Sequence, residues 1–238
     1  MIGSVSLPPL EARLPVSYAD LHVHPSGDAV SRRHRPSTPS CVYAALLASG
    51  LRVAVLADHD RVDVALELAA RSRAGGASIE LLVGEEITTR EGHLVGIGLS
   101  SLVPPDLSLG ETVAAVHEQG GLAVVAHPLL PPIRAASAAR LLALARGDER
   151  SRPDALEVMN AVGAWVPGWR GRVERLARAG GYALVGGSDA HRAQAVGRAR
   201  TGFRGDDGAA LMRAIQARET WAEGHRSALR DVLRLPSS

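Results

Sequence analysis

Lysine is absent from the 238-residue chain, whose 27 basic side chains are all arginine. This absence excludes a Schiff-base lysine, a phosphate-binding loop that depends on lysine and a carboxylated-lysine metal bridge. There is a single cysteine, Cys41, so no intramolecular disulfide can form and nothing indicates an oxidising compartment. No apolar run is long enough to span a bilayer, and no signal-peptide pattern is present. We therefore expect a cytoplasmic protein with no membrane partner.

Aromatic residues are also scarce, at 3% of the chain, although 46% of all residues are hydrophobic. The core must therefore consist mostly of Ala, Val, Leu and Ile, which suits buried parallel strands beneath amphipathic helices. The net charge is only +2, and no basic block or run of stacking aromatics stands out. A dedicated nucleic-acid partner is thus not favoured, whereas a small anionic substrate is compatible with this composition.

Apolar runs of strand length alternate along the chain with Ala/Leu/Arg stretches of helical period. This alternation is typical of repeated βα units around a parallel sheet. We expect an extended lead-in over 1–17 and one domain over 18–238. Seven strands are predicted at 18–24, 52–58, 79–87, 93–99, 122–126, 155–159 and 182–186, and six helices at 40–49, 62–74, 110–119, 134–146, 169–179 and 207–217. Only 88–92 separates the third strand from the fourth, so these two should form a hairpin.

Histidines and carboxylates cluster where the predicted strands run out into loops. The clusters are His22 with His24, Asp58-His59-Asp60, Glu85-Glu86, His93, His127, and Asp189 with His191. Alternate residues of a strand share a face, so His22 and His24 should project together. Such ligands at the same end of successive strands are typical of a centre that holds several divalent metals. A metallohydrolase is therefore the leading interpretation.

These motifs together resemble the PHP (polymerase and histidinol phosphatase) superfamily, from Tyr18 to about Gly224. The matching segments are Asp-Leu-His-Val-His at 20–24, Ala-Asp-His-Asp at 57–60, Gly-Glu-Glu-Ile-Thr-Thr at 84–89, the glycine before His93, Ala-His-Pro at 126–128, Glu-Val-Met-Asn at 157–160 and Gly-Ser-Asp-Ala-His at 187–191. The resemblance implies an α/β fold, a distorted TIM-like (βα)7 barrel, with two or three divalent ions at its carboxyl rim. These ions would be zinc, manganese or iron.

The resemblance also implies a set of metal ligands. One metal would be held by His22, His24 and Asp189, and a second by His93 and His127. Glu86 would bridge the two metals, while Glu85 would face away.

A third metal would be held by His59 and His191. The chain departs from the usual family run here, with Pro-Ser-Gly-Asp at 25–28. Asp28 is nevertheless a further candidate ligand, because related members have Gly-Asp at this place, and His34 is the alternative. Asp58 and Asp60 would orient imidazole rings from behind.

Several further residues are candidates for contact with the substrate. Asp60 or His191 would pass a proton to the leaving oxygen, and Arg61 and Arg192 are candidates for binding a phosphate. Glu157 and Asn160 would either hydrogen-bond the substrate or cap a strand end. Trp165 and Trp169 either wall the pocket or pack within their loop.

The resemblance implies a metal-dependent phosphoesterase that hydrolyses a small phosphorylated metabolite or nucleotide with a metal-activated hydroxide. A nuclease of the same superfamily, acting on nucleic-acid ends, is one alternative. A regulatory metal-binding domain without turnover is another. An amidohydrolase barrel falls behind, since its usual two-metal form needs the lysine that is lacking here. The sequence leaves the oligomeric state open.

Overall fold

The computed structural model describes residues 14–26, 37–130 and 134–227. Within these ranges the chain forms nine strands and six α-helices. The strands are β1 (Val16–Val23), β2 (Val53–Leu56), β3 (Glu80–Thr89), β4 (Gly92–Ile97), β5 (Leu122–Val125), β6 (Ala155–Asn160), β7 (Ala183–Gly187), β8 (Ala199–Arg204) and β9 (Trp221–Gly224). The helices are α1 (Pro39–Ala48), α2 (Asp63–Ala74), α3 (Leu109–Glu118), α4 (Ala138–Ala145), α5 (Trp169–Gly180) and α6 (Gly208–Ala217).

All nine strands belong to one mixed sheet, in the order β7-β6-β5-β4-β3-β2-β1-β8-β9. The pairs β1–β2, β2–β3, β5–β6 and β6–β7 are parallel, so the carboxyl ends of these strands lie at one rim. Strand β4 runs antiparallel to both of its neighbours. The expected hairpin is thereby confirmed, with Thr88 opposite His93 and Thr89 opposite Gly92.

The sheet curls into a nearly closed barrel in which the terminal strand β7 lies against β1, β8 and β9. The Thr201 hydroxyl on β8 accepts a hydrogen bond from Gly186 N at 2.8 Å and donates one to Gly186 O at 2.9 Å. Beyond β7, Ala190 exchanges backbone hydrogen bonds with His22 and His24 of β1. The expected α/β barrel of the PHP type is confirmed.

Two apolar cores stabilise the barrel, one beneath the outer helices and one inside the strands. The inner core includes Leu211 and Ile215 of α6. At the start of α6, Gly208 N donates a hydrogen bond to Glu80 Oε2 at the beginning of β3. Helix α6 therefore closes the amino-terminal end of the barrel and leaves the opposite rim for polar side chains.

All seven predicted strands are present, but the prediction of only seven missed β8 and β9. In β8, Ala199, Thr201 and Phe203 are buried, and the positions between them hold the partly exposed Arg200 and the buried Gly202, so the sequence shows no clear two-residue period. Strand β9 has only four residues, too few for a periodic signal. No helix within the described ranges is long and apolar enough to span a membrane.

Candidate metal centre

The predicted ligands converge at the carboxyl rim because several local features aim them inward. The pairing of β1 with β2 shifts register between Asp20 and Val23, and that of β6 with β7 shifts between Glu157 and Met159. Such irregularities often re-aim side chains beside functional sites. After β2 the chain returns to the sheet, where His59 pairs with Glu86 through an isolated bridge.

The carboxylate of Glu86, which is 1% exposed, lies at the centre of the cluster. Its Oε1 atom is 3.0 Å from His93 Nδ1 and 3.0 Å from His127 Nε2. Its Oε2 atom faces three Nε2 atoms, at 3.2 Å, 3.3 Å and 3.2 Å, which belong to His22, His24 and His59. Each oxygen of one carboxylate thus faces a different set of imidazoles, as a bridging ligand would.

Three groups of side chains have ligand atoms within 4.8 Å of one another. They are His22, His24, Glu86 and Asp189; His59, Glu86 and His93; and His24, His59 and His191. The first group matches the set expected for one metal, and the third contains the pair expected for another. His127 lies against Glu86, on the same oxygen as His93. The structure therefore brings together every predicted ligand that lies within its described residues.

The site opens to solvent on one side. The side chains of His22, His24 and His127 are at most 3% exposed, whereas those of His59 and His191 are 24% and 35% exposed. An incoming molecule would therefore meet the cluster from the side of His59 and His191.

Three residues of the site have a backbone conformation that is uncommon outside glycine. Asp60, His127 and Asp189 have φ angles of 49°, 29° and 55°. Such conformations cost on the order of 1–3 kcal/mol each and persist where the surroundings over-determine them. Strain at three strand ends on one rim indicates that these side chains are held in place for function.

Strong electrostatic coupling acts within the buried cluster. Burial alone would raise the pKa of Glu86, but the charge of His22 and hydrogen bonds from neighbouring imidazoles hold that pKa well below its usual range. Asp189 behaves in the same way, with His22 again the main opposing charge. Burial would lower the pKa of His22, yet Glu86 and Asp189 raise it well above its usual value. Both carboxylates are thus kept ionised, the form that ligates cations.

The surroundings of His191 favour its neutral form. Burial, followed by the nearby charge of His24, lowers the pKa of His191 to about 4. The two rings stack with centroids 3.9 Å apart, and His191 Nδ1 lies 3.1 Å from Asp189 O. A neutral imidazole is the form that binds metals, whereas a proton donor must first carry a proton. These surroundings favour the expected ligand role of His191 over its expected role as general acid.

Glu157 and Asn160 lie behind the ligands. Glu157 Oε1 is 3.2 Å from His22 Nδ1, and Glu157 Oε2 accepts hydrogen bonds from His127 N at 2.8 Å and Asn160 Nδ2 at 2.9 Å. The Asn160 amide also donates to Asp189 Oδ2, and its oxygen accepts from two backbone N–H groups. Both side chains are at most 2% exposed. Their contacts favour holding the ligands, not the expected contact with substrate.

Asp20 supports the site from below, and the sequence analysis did not select it. This buried carboxylate accepts hydrogen bonds from His22 N at 3.3 Å, Ser188 N at 2.8 Å and Gly197 N at 2.8 Å. Burial raises its pKa to about 6, although these hydrogen bonds oppose the rise. Asp20 lies two residues before His22, and alternate residues of a strand project from the same face, so this spacing could have identified Asp20.

The acidic residues around His59 accept hydrogen bonds from neighbouring segments. Asp60 accepts hydrogen bonds from Thr88 N at 2.7 Å and Thr88 Oγ1 at 2.8 Å, one on each oxygen. Asp58 accepts from Ser26 N. Arg61 forms a two-pronged ion pair with Asp63, at 2.8 Å and 2.6 Å. These contacts favour loop positioning for Asp60 over proton transfer, and they occupy the guanidinium of Arg61.

Other predicted residues lie apart from the cluster. Asp28 and His34 fall outside the described residues. His117 binds Asp154 Oδ2 and Arg150 O far from the rim. Trp169 is fully buried and donates to Pro128 O, whereas Trp165 stays partly exposed. Glu85 faces the opposite side of β3, as strand alternation predicts, and accepts from Val103 N.

The donor set fits divalent metals. Among the described residues, the buried His127 Nδ1 atom has no hydrogen-bond partner, and His22 Nε2 and His93 Nδ1 face Glu86 at 3.2 Å and 3.0 Å without the geometry of a hydrogen bond. Buried polar atoms without a partner are rare and call for an explanation such as a bound ion. Imidazole nitrogens with two ionised carboxylates are ligands that zinc, manganese and iron accept.

Comparison with known proteins gives matches in both sequence and structure. A family model described as PHP-associated matches residues 167–220. The uncharacterized protein MJ1587 of Methanocaldococcus jannaschii is 30% identical over 123 residues, which are 49% of this chain and 71% of that protein.

Solved structures share the fold. One is a two-domain protein of Bacteroides vulgatus containing a predicted PHP-like metal-dependent phosphoesterase; it aligns with a TM-score of 0.67 and 19% identity, over 93% of this chain and 69% of that one. Another is the lesion-specific endonuclease PfuEndoQ of Pyrococcus furiosus, with a TM-score of 0.58 and 12% identity, over 87% of this chain and 58% of that one. At these identities the likeness concerns the fold.

Proposed function

Because this chain belongs to the PHP superfamily, we propose that it is a metal-dependent phosphoesterase that hydrolyses a small phosphorylated metabolite or nucleotide. One observation carries the proposal: the two oxygens of Glu86 face two separate sets of imidazoles, each 3.0–3.3 Å away. A cluster of adjacent divalent metals shared by one carboxylate is a recurring design of phosphate-ester hydrolases.

In this proposal two or three metals bind, and zinc, manganese and iron all suit the donors. His22, His24 and Asp189 would hold one metal and His93 and His127 a second, with Glu86 offering one oxygen to each set. His59 and His191 would hold the third. When bound, such metals lower the pKa of a water molecule and stabilise charge on the phosphoryl group.

Neighbouring residues of the chain fix the orientation and the tautomer of these ligands. Glu157 accepts from His22 Nδ1 and so keeps Nε2, the atom that faces Glu86, free of a proton when the ring is neutral. Asn160 holds Asp189, and Asp20 holds the backbone on both sides of the cluster. Substrate would enter past His59 and His191, where Arg192 follows along the chain. We propose that Arg192 binds the substrate phosphate, because it directly follows His191, whose side chain is 35% exposed at the open side of the cluster.

The test combines metal content with phosphate release. We expect His24→Ala and Asp189→Ala to lower bound metal, measured by mass spectrometry, and to abolish phosphate release from nucleotides and sugar phosphates. His117→Gln is the matched control, because His117 binds Asp154 away from the rim and should retain both properties. Retention of metal and turnover in both cluster variants would contradict the proposal.

The alternatives give different results in the same assay. Metal binding without phosphate release from any ester, whether small molecule or nucleic acid, would favour a regulatory domain. Release of nucleotides from strands, without release from small esters, would favour the nuclease. PfuEndoQ shares the fold and is itself an endonuclease, but its low identity to this chain does not carry its substrate across.

A further inference from the structure

The last described segment of the chain joins two loops of the rim. His225 N donates to Arg198 O at 2.7 Å, in the connection between β7 and β8. Ser227 N donates to Ala161 O at 2.8 Å, just after β6. The indole N–H of Trp165 in turn donates to Ser227 O at 2.9 Å. Residues 225–227 therefore fasten the loop after β6 to the loop after β7.

Both fastened loops start at the metal centre. The loop after β6 begins at Asn160, whose oxygen accepts from Gly163 N and whose amide binds Asp189. The connection after β7 begins with Asp189 and His191 themselves. The joined loops therefore belong to the same rim of the barrel as the ligands Asp189 and His191.

The surface formed by these joined loops pairs the aromatic ring of Trp165 with the cationic side chain of Arg226. The guanidinium carbon of Arg226 lies 4.3 Å from the centroid of the Trp165 ring. Arg226 is exposed and Trp165 is partly so, whereas Trp169 is buried beneath the same loop. Only 3% of the residues are aromatic, and yet the Trp165 indole lies partly exposed at the rim and not in the core. A stacked indole and guanidinium offer planar faces to a planar ligand.

Among the described residues, no acidic side chain neutralises the positive charge of Arg198 or Arg226. Neither arginine forms an ion pair with a carboxylate in this part of the chain, and Arg198 Nε donates to the backbone oxygen of Gln194. The nearby carboxylate of Glu223 is engaged by Arg200 and the Trp221 indole. Arg198, His225 and Arg226 thus contribute cationic or neutral donors to the joined loops, and Arg226 lies against the indole.

We infer that Trp165, Arg198, His225 and Arg226, together called the rim platform, bind the nucleotide part of the substrate. The base stacks on the Trp165–Arg226 pair, and a phosphate outside the metal centre is bound by Arg198 and Arg226. This inference rests on the proposed function and narrows its substrate class to nucleotides over aliphatic phosphoesters. The four residues come from three segments that are far apart in sequence, which explains why no basic track was visible along the chain.

The test measures binding of a fluorescein-labelled phosphorothioate hexanucleotide, which resists hydrolysis, to the metal-loaded protein. Trp165→Ala should weaken binding about 5- to 100-fold, since stacking of one base is lost. Arg198→Gln and Arg226→Gln should each reduce the slope of log affinity against log salt by about 0.7. Arg73→Gln is the control, because Arg73 lies in the last turn of α2, at the opposite end of the barrel.

An abasic strand of equal length and charge tests stacking on the unaltered protein, should Trp165→Ala fail to fold. It should bind as weakly as the hexanucleotide binds to Trp165→Ala. Equal binding of the abasic and normal strands would overturn the inference, as would platform variants that bind like Arg73→Gln. A nucleoside monophosphate, used as competitor, shows whether a single nucleotide is enough for binding. If Trp165→Ala weakens this competition, the result supports the rim platform.

The two proposals fail separately. If the unaltered protein releases phosphate from no ester, the proposed function is wrong even where the platform binds strands. If it releases phosphate normally while the platform variants bind strands like the control, the platform alone is wrong.

Discussion

Replacing Glu157 with glutamine tests how the support behind the ligands sets metal affinity. Glu157 Oε2 accepts from two donors, His127 N and Asn160 Nδ2, so the amide oxygen of a glutamine must take that position. The amide NH2 group then faces His22 Nδ1, now 3.2 Å from Glu157 Oε1. A donor facing Nδ1 requires Nδ1 to become an acceptor. The neutral His22 ring must therefore place its proton on Nε2, the atom that faces Glu86.

A proton on Nε2 blocks the lone pair with which His22 would bind a metal. To bind a metal, His22 must return its proton to Nδ1. That proton then faces the NH2 group of the glutamine, so two donors oppose each other in a buried site. Loss of such an outer hydrogen bond typically costs 10- to 100-fold in metal affinity, or about 1.4–2.8 kcal/mol. We expect a loss in this range for the metal bound by His22, with little change at His93 and His127.

Competition with a chelating dye measures the affinity, and nitrogen NMR of the imidazoles reports the tautomer. Asp63→Asn is the matched control: it removes the same charge from a surface carboxylate that is 68% exposed and pairs with Arg61. We expect its metal affinity to equal that of the unaltered protein. If Glu157→Gln binds metal within about twofold of the unaltered protein, the tautomer argument is refuted.

Two further predictions concern stability. Alanine at Gly187 would place its Cβ 2.5 Å from His22 Cβ and 2.6 Å from Glu157 Oε1, so Gly187→Ala should destabilise the fold by about 1–3 kcal/mol and lower metal affinity. Gly171→Ala on α5 is the control: its Cβ would meet only Arg175 Nη1, at an ordinary contact distance of 3.6 Å, so this change should stabilise the fold by up to about 1 kcal/mol. Equal melting temperatures for the two variants would contradict this. The hydrogen bond to Asp154 raises the pKa of His117 above the value of 6.5 expected for the unfolded chain, so its contribution to stability is complete below about pH 6.5 and is lost as pH rises through the folded pKa; urea unfolding should show a larger deficit for His117→Gln at about pH 5.5 than at about pH 9, and a constant deficit would count against the ion pair.

Much of the metal centre could be predicted from sequence because parallel strands deliver their carboxyl ends to one rim. His22, His59, His127 and Asp189 each follow or end a strand, so recognising the strands was enough to bring them together. No exact angle or distance was needed for this step. Strand alternation likewise separated Glu86 from Glu85 correctly.

What the sequence did not show depends on contacts between distant segments. The direction of the Glu157 side chain follows from a register shift between β6 and β7, and no local pattern encodes that shift. The two-pronged ion pair of Arg61 with Asp63 likewise depends on side-chain directions that the sequence pattern does not give. The rim platform combines residues from three segments, and only the hydrogen bonds of residues 225–227 place them side by side.

The position of β1 between β2 and β8 has a consequence for synthesis on the ribosome. Val16 pairs with Arg204, so one edge of the first strand must wait for most of the barrel to be translated before it finds its partner. Pairings this remote along the chain fold slowly, and an open strand edge invites association with other nascent chains. The nascent protein would thus carry an exposed edge for most of its translation, a natural target for a chaperone that shields extended segments.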